Sequence, residues 1–344
     1  MLSQVVELIE NRHVFGITTH VRPDGDGIGS SLGLCWLLRS LGKDAEVIVS
    51  DGIPMAYQAL PGADEIVYLS EVNGKYDAVF VIECSDVSRP NIRNLENQYV
   101  VNIDHHATCD NFGTINWIDT IASAVGEMIY NLCKAVGGRI TREIAECLYL
   151  ALVTDTGSFH FSNTTDRTLK VASELVKVGV KPAVISEAVY NSYPWSRIEL
   201  MSRVLSTVKR DDTGRVAYMR QTMEMRESSK MADGDNNGFV NIPLAAKDVL
   251  ASIYMREIGD REYRVSFRSK GSINVAKVAE QFGGGGHNNA AGCRIVGDWD
   301  ESELQLVEAM VAAVADSNSD SDEPEPITGF VGTEQVNEVR PQAD

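Results

Sequence analysis

Residues 101–113 read Val-Asn-Ile-Asp-His-His-Ala-Thr-Cys-Asp-Asn-Phe-Gly. Asp104, His105 and His106 directly follow a short apolar run over 99–103. Aromatic and β-branched residues favour a half-buried pleated surface, so the run predicts a strand. The polar triplet then stands where that strand ends. In a parallel α/β sheet, ligands bind in the crevice beyond the carboxyl ends of the strands. A carboxylate and two imidazoles placed there can hold a metal, position a phosphate, or do both.

Upstream, an apolar helical spacing over 3–11 predicts a first helix, and 14–19 a strand. That strand runs into His20-Val-Arg-Pro-Asp24-Gly-Asp26-Gly-Ile-Gly-Ser30, whose glycines read as a tight loop close to a ligand, with a helix over 31–41. Strands are expected at 46–49 and 77–82, the latter almost continuously apolar, as in a strand covered on both faces. Glu83 and Asp86 stand at its end. Helices are expected at 123–136 and 142–152, with Asp155 just past the second, and at 166–178, capped by Gly179. Pro182 and Pro194 bracket a linker helix and mark a domain boundary. Beyond it the pattern changes, with strands over 216–221, 248–255 and 262–268, a short helix over 275–281 and a last helix over 301–315.

Taken singly, these acids and imidazoles say little. An Asp after a strand is usually a turn or cap residue. Together, His20, Asp24, Asp26, Glu83, Asp86, Asp104, His105, His106 and Asp155 all sit near ends of apolar segments. That many carboxylates at one sheet edge would repel strongly if nothing lay between them. A pair of divalent cations resolves the repulsion. Asp/His ligation without thiolates suits Mn2+, with Mg2+ or Co2+ as substitutes. Two such ions activate water for phosphate-ester hydrolysis. The segment Phe282-Gly-Gly-Gly-Gly286-His287-Asn-Asn289-Ala-Ala-Gly292 reads either as a flexible loop or as an anion cradle of exposed backbone N–H groups beside an imidazole. Arg268, at a strand end in the same part of the chain, can add a bidentate phosphate contact.

The chain has 344 residues, enough for two ordinary domains, and is 44% hydrophobic and 23% charged, as globular proteins are. No apolar run reaches the roughly 20 residues of a membrane helix. The amphipathic, glutamate-bearing start is unlike a secretory signal, so a cytoplasmic protein without a membrane partner is expected. The six cysteines form no C-x-x-C pair, which argues for reduced, mostly packed thiols. A net charge of −18 argues against nonspecific binding of long nucleic acid, but not against short substrates held locally. Residues 316–344 carry eight acids against one base and predict a disordered acidic tail.

His20-x-x-x-Asp24-x-Asp26, Asp104-His105-His106, Asp155-Thr-Gly157 and the distal FGGGGHNNAAG resemble the DHH/DHHA1 phosphoesterases. The subgroup most similar is the stand-alone nanoRNases that also act on 3′-phosphoadenosine 5′-phosphate (pAp). The resemblance implies an α/β fold: a mainly parallel sheet flanked by helices over 1–185, a linker helix over 186–208, and a smaller α/β DHHA1 domain over 209–315, with the cleft between them. One metal would be held by His20, Asp24 and the acid of the second motif, and the other by Asp26, the same acid, His105 and Asp155. His106, with Asp104, would serve the scissile phosphate. Arg268, Ser269, Gly286, His287 and Asn289 would grip the substrate. The implied reaction is metal-dependent hydrolysis of short RNA or DNA oligonucleotides and of pAp, and a homodimer is implied. Alternatives are a linear or cyclic dinucleotide phosphodiesterase, a RecJ-like exonuclease, or a non-catalytic nucleotide-binding protein. The sequence departs from the family pattern at Glu83, where an Asp is usual, and at His160, where an Arg is common. Glu83 is favoured over Asp86 as the bridging acid.

Overall fold

A computed structural model describes residues 1–230 and 238–317. The chain divides into two compact units, Met1–Tyr193 and the part from Pro194 onward.

The first unit is built on six strands: β1 (Val14–Thr19), β2 (Asp44–Val49), β3 (Val67–Tyr68), β4 (Ala78–Ile82), β5 (Val100–Asp104) and β6 (Ile115–Ile118). They lie in the order β3-β2-β1-β4-β5-β6, and every pair is parallel. Six helices accompany them: α1 (Leu2–Asn11), α2 (Gly25–Ser40), α3 (Val125–Ala135), α4 (Arg142–Asp155), α5 (Asp166–Val178) and α6 (Pro182–Tyr190). Alternate strand residues feed two cores. Phe15, Ile17, Phe80, Ile82, Val101 and Ile103 pack with the helices. Val79, Val81 and Val100 pack with Ile48, Ile92 and Leu95 in a second cluster. Burial on both faces is why β4 and β5 read as unbroken apolar runs. The strand order reverses between β1 and β4, and such a switch point opens a crevice at the carboxyl ends of the strands.

One expectation is corrected here. Gly25, Gly27 and Gly29 are not loop residues, because α2 begins at Gly25, with Asp24 as its N-cap accepting from Gly27 N at 3.0 Å. These glycines let neighbouring elements approach closely. A Cβ on Gly25 would lie 2.4 Å from Thr154, one on Gly29 2.5 Å from the Cys147 carbonyl oxygen, and one on Gly33 2.7 Å from Leu148. At four-residue spacing they form the flat stripe against which α4 lies.

The second unit holds β7 (Lys209–Arg210), β8 (Val216–Gln221), β9 (Ala251–Gly259), β10 (Glu262–Ser269), β11 (Gly285–His287) and β12 (Ala290–Val296). Their order is β11-β12-β10-β9-β8-β7, antiparallel except for the β8–β9 pair. Its helices are α7 (Trp195–Leu205), α8 (Met223–Ser229), α9 (Val275–Gln281) and α10 (Trp299–Ser317). Ile253, Met255, Val265 and Phe267 pack with Val275, Val278, Leu306 and Met310, while Met219 and Tyr254 pack with Leu200, Val204 and Phe239.

Between the units, 186–208 is not one helix. Residues 191–194 separate α6 from α7, since Pro194 lacks the N–H a continuous helix would need. The glycine-rich run is a strand pair rather than a loop. Gly284 and Gly286 come so near β12 that a Cβ would meet the Gly292 oxygen at 2.2 Å and the Ala290 oxygen at 2.5 Å. The last helix runs to Ser317, two residues past its expected end, and the rest of the acidic tail lies outside the described residues. All six cysteines are free, and all but Cys109 are buried. Among the described residues, no helix is long and apolar enough to cross a membrane.

Candidate metal centre at the switch point

Three strand ends and two helix ends supply the site. His20 follows β1, Glu83 follows β4, Asp104 closes β5 with His105 and His106 behind it, Asp24 and Asp26 open α2, and Asp155 ends α4. The structure brings them into three overlapping groups whose ligand atoms lie within 4.8 Å of one another: His20, Asp24 and Glu83; Asp26, His105 and Asp155; Glu83, His105 and His106. Glu83 and His105 each belong to two groups.

Two of the three imidazoles are anchored by backbone carbonyls. His20 Nδ1 lies 2.9 Å from the Val21 carbonyl oxygen and His105 Nδ1 3.0 Å from that of Ala122. A carbonyl only accepts, so Nδ1 carries the proton on each ring. Nε2 of His20 is then left 3.7 Å from Glu83 Oε2 and 3.9 Å from Asp24 Oδ1. Nε2 of His105 lies 3.5 Å from Asp155 Oδ2 and 4.0 Å from Asp26 Oδ2. A backbone carbonyl that fixes the far nitrogen is the usual support of a metal-binding histidine.

Asp26 is buried and held on both oxygens. Val125 N donates to Oδ2 at 2.6 Å, and Gly126 N and Ser30 Oγ to Oδ1 at 3.0 and 2.7 Å. Glu83 is buried in a left-handed backbone conformation, φ 57°, its N–H donating to the Ile103 carbonyl at 3.0 Å. A non-glycine residue there costs about 1–3 kcal/mol, and such strain concentrates at functional sites. Gly27 faces this carboxylate, where a Cβ would lie 3.0 Å from Glu83 Oε2.

Charge crowding shifts the pKa values of these groups. Burial, reinforced by Asp24, Asp26 and Asp155, lifts the Glu83 pKa well above the carboxylate range. Burial also raises Asp26, against the pull of His105, and burial with Asp26 nearby pushes Asp155 to about 8. Burial disfavours the charged form of His105, but Asp26 and Asp155 outweigh it and raise its pKa. Glu83 Oε2 and His105 Nε2 are buried without a hydrogen-bond partner. Crowded carboxylates whose charged forms are disfavoured, beside imidazoles whose Nδ1 is fixed by a carbonyl, are the donor set a divalent cation satisfies. The residues therefore fit a metal.

Two other predicted residues fall outside these groups. Asp104 is buried, and its Oδ1 accepts from His105 N, His106 N and His106 Nδ1 at 2.7, 3.2 and 2.7 Å. It orients His106. Although burial opposes ionisation of Asp104, the His106 contact wins and lowers its pKa. Asp86 turns onto its own loop, where its Oδ1 accepts from Ser88 N at 2.8 Å.

In the second unit, Arg268 lies on β10 opposite Ala290. Its Nη1 donates to the Phe267 carbonyl at 2.9 Å, and burial lowers its pKa. Among the described residues no carboxylate pairs with it. Ser269 Oγ donates to the Ile273 carbonyl at 2.7 Å and accepts from Asn289 Nδ2 at 2.9 Å, which also reaches the Gly271 carbonyl. Ser269 and Asn289 thus hold the 269–273 turn beside Arg268. Gly286 and His287 lie on the edge strand β11, Gly286 at φ 148°.

Residues 14–152 match the DHH family, N-terminal domain, and residues 213–317 match the DHHA1 domain. A Thermus thermophilus protein named bifunctional oligoribonuclease and PAP phosphatase NrnA is 33% identical over 90% of this chain and 92% of its own length. The chain belongs to the DHH/DHHA1 family. A Bacillus subtilis protein of the same name is 29% identical, covering 90% of this chain and 97% of its own. An exopolyphosphatase-related protein from Bacteroides fragilis has the same fold, with a TM-score of 0.85 at 30% identity over 90% of this chain and 95% of its own. As a DHH phosphoesterase, the protein is a hydrolase.

In this DHH protein the acid after β4 is Glu83, and the structure places it, rather than Asp86, among the possible ligands. His160 is exposed, its ring 6.3 Å from that of Phe161. Sequence reasoning passed over the Val125 and Gly126 amides and the Ala122 carbonyl. Their partners lie 17 to 100 residues away, and no local pattern marks them.

Proposed function

We propose that this phosphoesterase hydrolyses short oligoribonucleotides to mononucleotides and removes phosphate from pAp, with two divalent cations, Mn2+ first among them and Mg2+ or Co2+ as substitutes. The sharing of Glu83 and His105 between overlapping ligand groups carries the reading, because it suits two cations side by side better than one. The names of the Thermus and Bacillus relatives support the substrates.

In this reading His20, Asp24 and Glu83 hold one cation, and Asp26, Glu83, His105 and Asp155 the other. Cations bound there polarise phosphoryl oxygens and make water a nucleophile at neutral pH. Asp104 fixes His106, which we assign to a phosphoryl oxygen, where charge grows in the transition state. Arg268 grips a non-reacting phosphate, with Ser269 and Asn289 shaping the turn beside it and Gly286 and His287 completing the grip. Binding energy from such a remote phosphate favours short, end-held substrates. We place the reaction in the cytoplasm and away from long nucleic acid, which the charge of −18 repels.

The test is phosphate release from pAp, and cleavage of a 5′-labelled RNA dinucleotide, by the full chain with Mn2+ and with chelator. Metal-dependent turnover of both is expected. No turnover of either by the Mn2+-loaded protein would overturn the assignment and favour another nucleotide substrate or a binding protein.

A further inference from the structure

Residues 119–125, between β6 and α3, hold His105 and Asp26 directly and reach the Asp155 backbone through Asn163. The Ala122 carbonyl takes His105 Nδ1 at 3.0 Å. Val125 N, with the adjacent Gly126 N, holds both oxygens of Asp26. The Ser123 carbonyl accepts from Asn163 Nδ2 at 3.1 Å, and the same amide nitrogen donates to the Asp155 carbonyl at 3.1 Å. The position of this one segment therefore sets where the His105 and Asp26 side chains stand, and through Asn163 it ties in the backbone that carries Asp155.

A buried charge pins that segment. Glu127, in the first turn of α3, is fully buried. Its Oε2 accepts from Ser123 Oγ at 3.1 Å, Ser123 N at 3.4 Å and Thr168 Oγ1 at 3.4 Å, and its Oε1 pairs with Arg167 Nη2 at 2.7 Å. The same Nη2 reaches Asp119 Oδ2 at 3.2 Å, while Asp119 Oδ1 accepts from Ile121 N at 3.2 Å. Arg167 so ties the start of the segment to its end. Burying a carboxylate is costly, and an apolar side chain commonly serves stability as well or better. What an apolar residue would not do is fix the Ser123 and Asp119 ends between which the Ala122 carbonyl is presented.

We infer that Glu127, Arg167 and Asn163 are positioning residues that set the cation site of Asp26, His105 and Asp155, while leaving the His20, Asp24 and Glu83 site largely unaffected. The inference rests on the metal-dependent reading above. Outer partners of metal ligands typically contribute 10–100-fold in affinity or activity.

The test titrates Mn2+ into the full chain by calorimetry, with melting temperature in chelator measured alongside. Glu127→Gln keeps the shape and removes the charge. It is expected to weaken the second Mn2+ equivalent by about 10–100-fold and leave the first near wild type. Asn163→Ala, which removes an amide bonded to two carbonyls, is expected to act in the same direction and stands in if Glu127→Gln does not fold. Arg167→Lys, which keeps the charge, should recover part of the loss seen in Arg167→Ala. Variants that melt lower in chelator yet bind both equivalents like wild type would reduce the network to a structural ion pair and overturn the inference. A wild type that takes up no pair of cations would instead overturn the metal-dependent reading itself.

Discussion

Gly29→Ala tests whether the metal site depends on backbone contact between two helices. Gly29 lies inside α2, where replacing Gly by Ala ordinarily adds about 1 kcal/mol of helix stability. Here the new Cβ would sit 2.5 Å from the Cys147 carbonyl oxygen, 3.1 Å from Ala151 N and 3.2 Å from Ala151 Cβ. Cys147 is buried within α4, and its carbonyl has no rotamer by which to escape. Helix must move from helix by several tenths of an ångström, and overpacking of this kind costs about 1–3 kcal/mol. With three close contacts we take the upper end. Subtracting the propensity gain leaves a net loss of about 2 kcal/mol, or about 4–8 °C in melting temperature for a unit of this size. Asp24 and Asp26 ride on α2 and Asp155 on α4, so Mn2+ affinity should fall as well. Thermal unfolding and Mn2+ titration of the variant check both effects. Gly52→Ala, where a Cβ meets nothing within 4 Å, is the control and should shift stability by less than about 0.5 kcal/mol. A Gly29→Ala protein that melts at or above wild type would refute the close-packing argument.

The metal-free protein should lose stability as pH rises. Glu83, Asp26 and Asp155 have folded pKa values above their unfolded ones and His105 is also raised, so the folded state holds more protons. Their stabilising contribution is complete below the unfolded carboxylate range near 4 and declines as pH rises towards the Asp155 value of about 8. Melting temperature in chelator should therefore fall across that window, and Mn2+ should flatten the slope; a rise with pH in chelator would contradict the crowding described. Glu83→Gln should abolish most Mn2+-dependent turnover, beyond the 10–100-fold typical of outer partners, whereas Asp86→Asn stays near wild type. The reverse pattern in steady-state kinetics would transfer the ligand to Asp86. Arg268→Ala should raise KM for pAp by about 10–100-fold, the value of a charge-assisted hydrogen bond of about 1.5–3 kcal/mol, with a smaller change in kcat. An unchanged KM would remove Arg268 from the substrate grip.

Much of the fold is legible in local pattern. The apolar runs of β1, β4 and β5 announce a sheet buried on both faces, and the acids and histidines behind them mark its carboxyl edge. Strand β6 escapes notice because, although its burial alternates, four residues are too few for the pattern to register in the sequence. The glycines of α2 and β11 mislead in one consistent way. Read singly they signal loops, yet in the structure they make room for what lies opposite, backbone at Gly29 and Gly286 and side chains at Gly25 and Gly33.

The sequence by itself determined the chemistry: the ligand types, their order along the chain and the family, because side-chain identity is written residue by residue. Tertiary structure alone decided which of these side chains come together and how they are aligned. It gathered Glu83, and not Asp86, with the residues that could hold a cation, through a left-handed turn after β4. It also joined Asp26 to amides 99 and 100 residues away and joined Glu127 to Arg167. Those bonds have no local signature, since their geometry exists only once the sheet has brought distant strand and helix ends to one edge.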